Sequence, residues 1–93
     1  MTSRVLHAAG QDIDGTWEAP VGVPCGLWEH SVGESTDTEV HEVFVVLAGR
    51  ARIEIEGQGP LEVGPGDVVE LEAGAKTRWI VHEHLRKFWL LPD

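Results

Sequence analysis

The sequence predicts an all-β fold, either a small barrel or a sandwich of two sheets. Short runs of alternating apolar and polar residues fill the chain, and Gly, Pro and Asp separate them, as expected for short strands joined by tight turns. No window of helical length shows apolar residues at a period near 3.6. A chain of 93 residues can build one modest core, so we expect a single domain over residues 1–93.

Three short strands are predicted in the first third of the chain. Residues 5–8 are expected to form the first and residues 15–18 the second. Residues 26–32 follow as the third, and alternation turns Trp28 towards one face of it. Residues 33–38 are polar and are expected to be a loop.

The central strand is predicted over residues 42–49, where β-branched and aromatic residues occupy nearly every position. Such a strand is typically covered on both faces. Glu42 is its one charge, and alternation places this carboxylate beside Phe44 and Val46. An isolated carboxylate is costly to remove from water, so Glu42 needs a hydrogen-bonding partner, a cation or a pocket mouth.

Turn residues divide the second half of the chain. Residues 48–50 (Ala-Gly-Arg) are expected to reverse the chain, which makes residues 51–56 the hairpin partner of the central strand. Further strands are expected at residues 61–63, 68–71, 76–82 and 85–91, for a total of eight or nine. The inward candidates of the segment 76–82 are Thr77, Trp79 and Val81.

The charge balance limits the possible partners. The chain has 16 acidic and 7 basic residues and a formal net charge of -9, which disfavours nucleic acid and anionic membranes. Four basic residues fall near the C-terminus: Lys76, Arg78, Arg86 and Lys87. We expect them to pair with the acidic segment 29–42, within one chain or between subunits.

Cysteine content and hydropathy indicate the compartment. Cys25 is the only cysteine, so no intramolecular disulfide can form, which is typical of a reducing environment. No stretch approaches the ~20 apolar residues of a membrane span, and the N-terminus has no long apolar run. We therefore expect a soluble, cytoplasmic protein without a membrane partner.

Two spaced motifs resemble those of the cupins. Glu42 is followed after six residues by Gly49, as at the end of the first cupin motif. Residues 66–67 (Gly-Asp) and 73–74 (Ala-Gly) resemble the body of the second motif. The resemblance spans about residues 26–91 and implies a cupin-type jelly roll, a small β-barrel also described as a double-stranded β-helix.

Three further residues make the resemblance more specific. Trp28 lies before the first motif, and Trp79 and Lys87 follow the second. This arrangement is similar to the cupin subgroup of (S)-ureidoglycine aminohydrolase and the ethanolamine-utilisation cupins.

The resemblance also implies a metal site of three histidines and one carboxylate, but only the carboxylate, Glu42, is present. The histidine positions fall on Ser35 or Thr36, on Asp37 or Thr38, and on Thr77. Hydroxyls do not replace imidazole as ligands for first-row metals at comparable strength. We therefore expect no metal or other cofactor, and a weakly held divalent metal at Glu42 stays open as an alternative.

The candidate ligand-binding residues are Glu42, Thr77, Trp79, Trp28, Thr38 and Lys87. Glu42 is also the candidate catalytic residue, because a buried carboxylate can orient a ligand or move a proton. Structural alternatives exist for each of the main candidates. Glu42 can be held by Arg78, Lys87 or a backbone amide, Trp79 can fill the core, and Lys87 can form a salt bridge.

The remaining histidines have structural interpretations. His82 and His84 have the alternate spacing of metal ligands, but they stand at a strand end beside charged residues, which indicates a surface role. His41 follows the opposite alternation to Glu42 and is expected to face away from it. His30, near Trp28, is more typical of a hydrogen-bonded structural group.

Three functions are compatible with these residues. The first is a metal-independent module that binds a small polar or amine-bearing molecule. The second is an enzyme that acts on a small nitrogenous metabolite, by analogy with ureidoglycine hydrolysis, with Glu42 as acid or base. The third is a structural or interaction subunit whose cavity is filled by side chains. We also expect a homodimer, because Val43, Val45 and Leu47 on the side opposite Glu42 need covering.

Overall fold

The computed structural model describes residues 2–93, which form seven antiparallel β-strands and no helix. The strands are β1 (Thr16–Glu18), β2 (Cys25–His30), β3 (Gly33–Thr38), β4 (Glu42–Ile55), β5 (Leu61–Val63), β6 (Val68–Leu71) and β7 (Lys76–Leu90). The all-β prediction is confirmed. Within these residues there is no helix with the length and apolar character that a membrane span requires.

Two long strands, β4 and β7, are the centre of the fold. They pair over their whole lengths, from Val43 opposite Leu90 to Ile55 opposite Thr77. The first half of β4 and the second half of β7 are extended by β6, β2 and β1, which together we call the first sheet. The other halves are flanked by β5 and β3 and form the second sheet. Because both sheets share their central strands and enclose one core, the chain is a jelly-roll barrel, as the resemblance implied.

The core takes inward side chains from both sheets. Its largest fully buried members are Phe44, Ile53, Leu71, Leu85 and Val46. Burying a side chain of this size contributes about 1.5–3 kcal/mol. The predicted inward face of β7 is confirmed, since Thr77, Trp79 and Val81 are all buried.

Gly49 bends β4 instead of ending it. It has a φ of 88°, and a Cβ there would overlap the backbone carbonyl oxygen of His84 on β7. The register against β7 shifts around this point, so inward side chains lie on even-numbered residues up to Val46 and on odd-numbered residues from Ala51 onward. The predicted hairpin at residues 48–50 is therefore wrong, because a glycine with positive φ serves a bulge as well as a turn.

Three other predicted boundaries are wrong. Residues 33–38, predicted as a loop, are strand β3, whose polar and mostly exposed side chains lack the apolar alternation of a half-buried strand. Residues 5–8 form no strand. Residues 76–82 and 85–91 mostly belong to the single strand β7, so the count is seven and not eight or nine.

The predicted pairing of basic C-terminal residues with the segment 29–42 is confirmed within one chain for three of the four residues, whereas Lys76 forms no ion pair among residues 2–93. The pairs are Arg78 with Glu34 at 2.8 Å, Arg86 with Glu29 at 2.8 Å and Lys87 with Glu42 at 2.6 Å. The Arg78 pair is exposed, and pairs of that kind contribute at most about 1 kcal/mol. The Lys87 pair is buried and belongs to the candidate site.

His41 lies on the outside of the barrel, as predicted from its position next to Glu42. Its Nε2 atom lies 2.8 Å from Oε2 of Glu70, and its Nδ1 atom bonds to the carboxylate of Asp93. The hydrogen bonds to Glu70 and then to Asp93 raise the pKa of the His41 imidazole above its ordinary value. His41 therefore ties the last residue of the chain to the first sheet.

Substitution of Gly49 tests the bulge. We expect Gly49→Ala to lower the free energy of unfolding by about 3 kcal/mol or more, because the new Cβ adds a backbone overlap to the unfavourable φ. Gly57→Ala is the matched control, since Gly57 has a φ of 80° but no heavy atom within 4 Å of the added Cβ. It should lose only about 1–2 kcal/mol. Urea denaturation measures both, and equal losses would contradict the close packing at Gly49.

Candidate functional site

A buried ion pair lies at the centre of the candidate site. Lys87 on β7 stands directly opposite Val46 on β4 and Trp28 on β2. Its Nζ atom donates a hydrogen bond of 2.6 Å to Oε2 of Glu42, which is four residues before Val46 on the same inward face. Lys87 is 5% exposed and Glu42 is 9% exposed. Each charge therefore compensates the other in a place that water barely reaches.

Aromatic rings surround the ammonium group of Lys87. Its Nζ atom lies 4.6 Å from the ring centroid of Trp28, 4.4 Å from that of Phe44 and 4.8 Å from that of Trp79. A cation within about 6 Å of a ring face is attracted by the ring quadrupole. The rings also touch one another, with 5.4 Å between the centroids of Trp28 and Trp79. They hold the Lys87 side chain in one position beside Glu42.

A second buried carboxylate, Glu39, lies in the connection between β3 and β4. Its Oε2 atom accepts hydrogen bonds from Oγ1 of Thr77 at 2.6 Å and from Nε1 of Trp79 at 3.0 Å. The backbone of Glu39 is fixed as well, because its N–H donates to the carbonyl of Ala75. Glu39 is 8% exposed, so its side chain is held rigidly against the start of β7.

Glu39 is the residue that the sequence analysis missed. It falls outside the predicted strands, so no alternation pattern assigned it a face. One signal was available: an inward threonine and tryptophan on β7 need hydrogen-bond acceptors. The sequence holds several carboxylates between residues 34 and 42, and only the contacts in the structure identify Glu39 as the acceptor.

A cavity of about 290 Å³ opens beside these groups. Its lining consists of Thr16, Trp28, Ser35, Thr36, Asp37, Glu39, Val40, Glu42, Trp79, Lys87, Trp89 and Leu91. Apolar walls with a few convergent polar groups are typical of small-molecule sites. The cavity thus combines three indole rings, hydroxyl groups and charged groups of both signs.

The structure brings together four of the six predicted binding residues. Glu42, Trp28, Trp79 and Lys87 all line the cavity. Thr77 is buried and does not line this cavity, but its Oγ1 atom lies within hydrogen-bond distance of two residues that do, 2.6 Å from Oε2 of Glu39 and 3.4 Å from the backbone carbonyl of Asp37.

The structure places Thr38 apart from the four predicted binding residues that line the cavity. Thr38 is exposed at the end of β3 and lies on an outer groove of about 820 Å³, not in the cavity with Glu42. Two of the five charged residues that line this groove, Arg78 and Glu54, pair with each other at 3.1 Å. The smaller cavity is the better candidate site because it collects Glu42, Lys87, Trp28 and Trp79.

The EutQ-like cupin domain family matches residues 22–89. The chain belongs to this cupin family. No curated protein matches the chain.

Solved structures support the assignment of this cupin. A DUF861 family protein from Thermotoga maritima is 29% identical, with a TM-score of 0.66 over 70% of this chain and 75% of that one. A protein from Rhizobium leguminosarum is 22% identical, with a TM-score of 0.73 over 97% and 96%. A putative ethanolamine utilization protein Q from Salmonella typhimurium is 18% identical, with a TM-score of 0.65 over 75% and 57%. At such identities, the last two show the shared fold alone.

The donor set of this cupin does not fit a transition-metal site. The positions where the first cupin motif has histidines fall within β3, whose side chains carry hydroxyl groups and carboxylates. Glu42, the carboxylate of that motif, is bonded to the Lys87 ammonium. No group of three or more His, Cys, Asp or Glu side chains in residues 2–93 is arranged to hold a metal. His82 and His84 are exposed, as expected for surface histidines.

A double-mutant cycle tests the buried ion pair. Lys87→Met leaves the Glu42 carboxylate buried without its cation, and we expect a loss of about 3–5 kcal/mol of unfolding free energy. Glu42→Gln should have a similar cost, because it leaves the ammonium uncompensated. The double variant Glu42→Gln with Lys87→Met removes both charges and should recover most of the loss. Urea denaturation of the three variants gives the coupling energy between the two residues. Losses that are purely additive would argue against a stabilising interaction between Glu42 and Lys87.

Proposed function

We propose that this cupin binds a small polar or amine-bearing molecule in its cavity without a transition metal. The observation that carries the proposal is the cavity of about 290 Å³ beside the buried pair of Glu42 and Lys87, walled by indole rings. Rigid aromatic walls preorganise a site, and a few fixed polar groups select the ligand. Each of these groups is held by other contacts before any ligand arrives.

A purely structural role has less support. A cavity of this size remains between the side chains, although apolar residues could have filled it. Burying Glu39, Glu42 and Lys87 costs free energy that a packed apolar core would not. Charged groups around an open cavity therefore support a ligand-binding role more than a purely structural one.

Catalysis by Glu42 on a small nitrogenous metabolite is the weaker alternative. One carboxylate oxygen of Glu42 is bonded to Lys87 at 2.6 Å, and the carboxylate is thereby fixed as the counter-charge of the ammonium. A general acid or base must instead exchange its proton with the substrate. We assign Glu42 first to positioning Lys87.

We propose a cytoplasmic location for this binding function. Cys25 is a free, buried thiol, which fits a reducing compartment. Its side chain packs against the outer apolar surface with Leu27 and Phe88. In this role it is a small apolar residue and not a reactive group.

Blocking the cavity tests the proposed function. Ser35 lines the cavity and Thr38 lies outside it on the same strand, so Ser35→Phe and Thr38→Phe form a matched pair. A panel of small amines, carboxylates, amides and polyols should change the tryptophan fluorescence of the wild-type protein and of Thr38→Phe. We expect Ser35→Phe to lose the response by about tenfold or more in apparent affinity, because the added ring fills the cavity.

Two outcomes would contradict the proposal. Either the whole panel leaves the fluorescence unchanged, or Ser35→Phe responds as the wild type does. Elemental analysis of protein purified without chelator tests the metal separately, and a stoichiometric transition metal would argue against the metal-independent site.

We also propose that the chain forms a homodimer through the outer face of the first sheet. Cross-strand partners on that face form a row of apolar residues: Val68, Val45, Phe88, Leu27 and Trp17. The N-terminal segment, with Leu6 and His7, covers the end near Leu27 and Trp17. The other end is open, since Val68 is 71% and Phe88 is 37% exposed. A second copy can cover this end around a two-fold axis, because the row is apolar and can pack against itself.

Charge placed in the apolar row tests the dimer. Phe88→Glu should raise the dimer dissociation constant by about a hundredfold or more, because it buries a carboxylate at the interface. Val32→Glu is the control. It adds the same charge at a residue that is 66% exposed in the connection after β2. Sedimentation equilibrium measures both variants. A monomeric wild type across the concentration range would rule out the dimer.

A further inference from the structure

Glu39 is a buried carboxylate without a cationic partner in the part of the chain that the structure describes. The charged groups of the cavity are Asp37, Glu39, Glu42 and Lys87, which sum to three negative charges and one positive. Glu42 uses the single cation. Arg78 pairs with Glu34 and Glu54, and Lys76 is exposed and lines the outer groove instead of the cavity. The cavity therefore has an excess of negative charge.

The two oxygens of Glu39 have different surroundings. Oε2 accepts both hydrogen bonds, from the neutral donors of Thr77 and Trp79. Oε1 accepts none from residues 2–93. No fully buried side-chain nitrogen or oxygen among these residues lacks a partner, so Oε1 is not completely enclosed, and Glu39 lines the cavity. Glu39 thus presents one free acceptor to a ligand from a side chain that is otherwise buried and fixed.

We propose that Glu39 anchors the cationic nitrogen of the ligand, so that the ligand class of this cavity is a small organic ammonium ion. The inference rests on the proposed function and narrows it. The neutral donors of Thr77 and Trp79 satisfy Oε2 of Glu39, but they leave Oε1 without a donor and do not balance the charge of the carboxylate. A primary ammonium group supplies both the missing donor and the positive charge, through a charge-assisted hydrogen bond to Oε1.

The walls of the cavity suit the rest of such a ligand. Trp28 and Trp89 present indole rings beside Glu39, and rings of this kind attract cations and pack against methylene groups. Lys87 is an internal precedent, because its ammonium is held by a carboxylate and three aromatic rings in the same part of the barrel. The chain therefore already stabilises one alkylammonium group by the chemistry that we assign to Glu39.

The experiment uses three probes of similar shape and different charge: n-butylammonium, 1-butanol and butyrate. The readout is the Nε1–H signal of Trp79 in two-dimensional NMR, because this N–H donates directly to Glu39. We expect n-butylammonium to shift the signal in the wild-type protein. Its affinity should be at least about tenfold higher than the affinities of 1-butanol and butyrate.

Glu39→Gln is the decisive variant, since its carbonyl oxygen can still accept from Thr77 and Trp79 while the charge is gone. It should bind n-butylammonium about tenfold or more weakly than the wild type. Glu34→Gln removes one carboxylate from the outside of β3 and should bind like the wild type. If Glu39→Gln fails to fold, the preference of the wild type for n-butylammonium over 1-butanol still decides for or against a cationic ligand.

The outcomes separate this inference from the proposed function. A cavity that binds butyrate or 1-butanol better than n-butylammonium overturns the ammonium assignment and leaves small-molecule binding intact. Equal affinity of the wild type and Glu39→Gln for n-butylammonium removes Glu39 as the anchor. A Trp79 signal that none of the three probes moves, together with an unresponsive fluorescence panel, overturns both.

Discussion

The arrangement of the site depends on the buried ion pair between Lys87 and Glu42. Two opposite charges at 2.6 Å can remain inside the barrel only if each has its partner and little water competes. The pair fixes the end of the Lys87 chain between the rings of Trp28, Phe44 and Trp79. Two of those rings, Trp28 and Trp79, in turn line the cavity. A substitution of Glu42 or Lys87 therefore alters the packing of the aromatic residues as well as the electrostatics of the site.

The pairing of β4 with β7 explains how distant parts of the sequence meet at one site. Because these strands pair end to end, Lys87 and Trp79 on β7 both come close to Phe44 on β4. The bulge at Gly49 changes the inward phase of β4, so both halves of the strand can point apolar side chains into one barrel. The site is thus a consequence of the strand register and not of a local motif.

The sequence predicted the parts of the fold that follow a regular alternation. The inward positions of β4 near Glu42 and of β7 near Trp79 were correct, because alternate side chains of a strand share one face. Strand β3 was missed because its pairing partner, and not its composition, makes it a strand. Glu39 was missed for a related reason, since it lies in a connection whose position depends on β3. Gly49 was misassigned because turns and bulges use the same positive φ.

The loss of imidazoles changes what the carboxylates of this cupin can do. In the motif that it resembles, one carboxylate shares a metal with three histidines, and the metal balances its charge. Here the chain supplies its own cation for Glu42, and a lysine carries one positive charge where a divalent metal would carry two. A second carboxylate in the same cavity, Glu39, is then left without compensation. The proposed selectivity of the site for a charged ligand follows from this excess of negative charge, since the hydroxyl groups of Ser35, Thr36 and Thr77 contribute hydrogen bonds but no net charge, and Asp37 adds a further negative charge to the cavity.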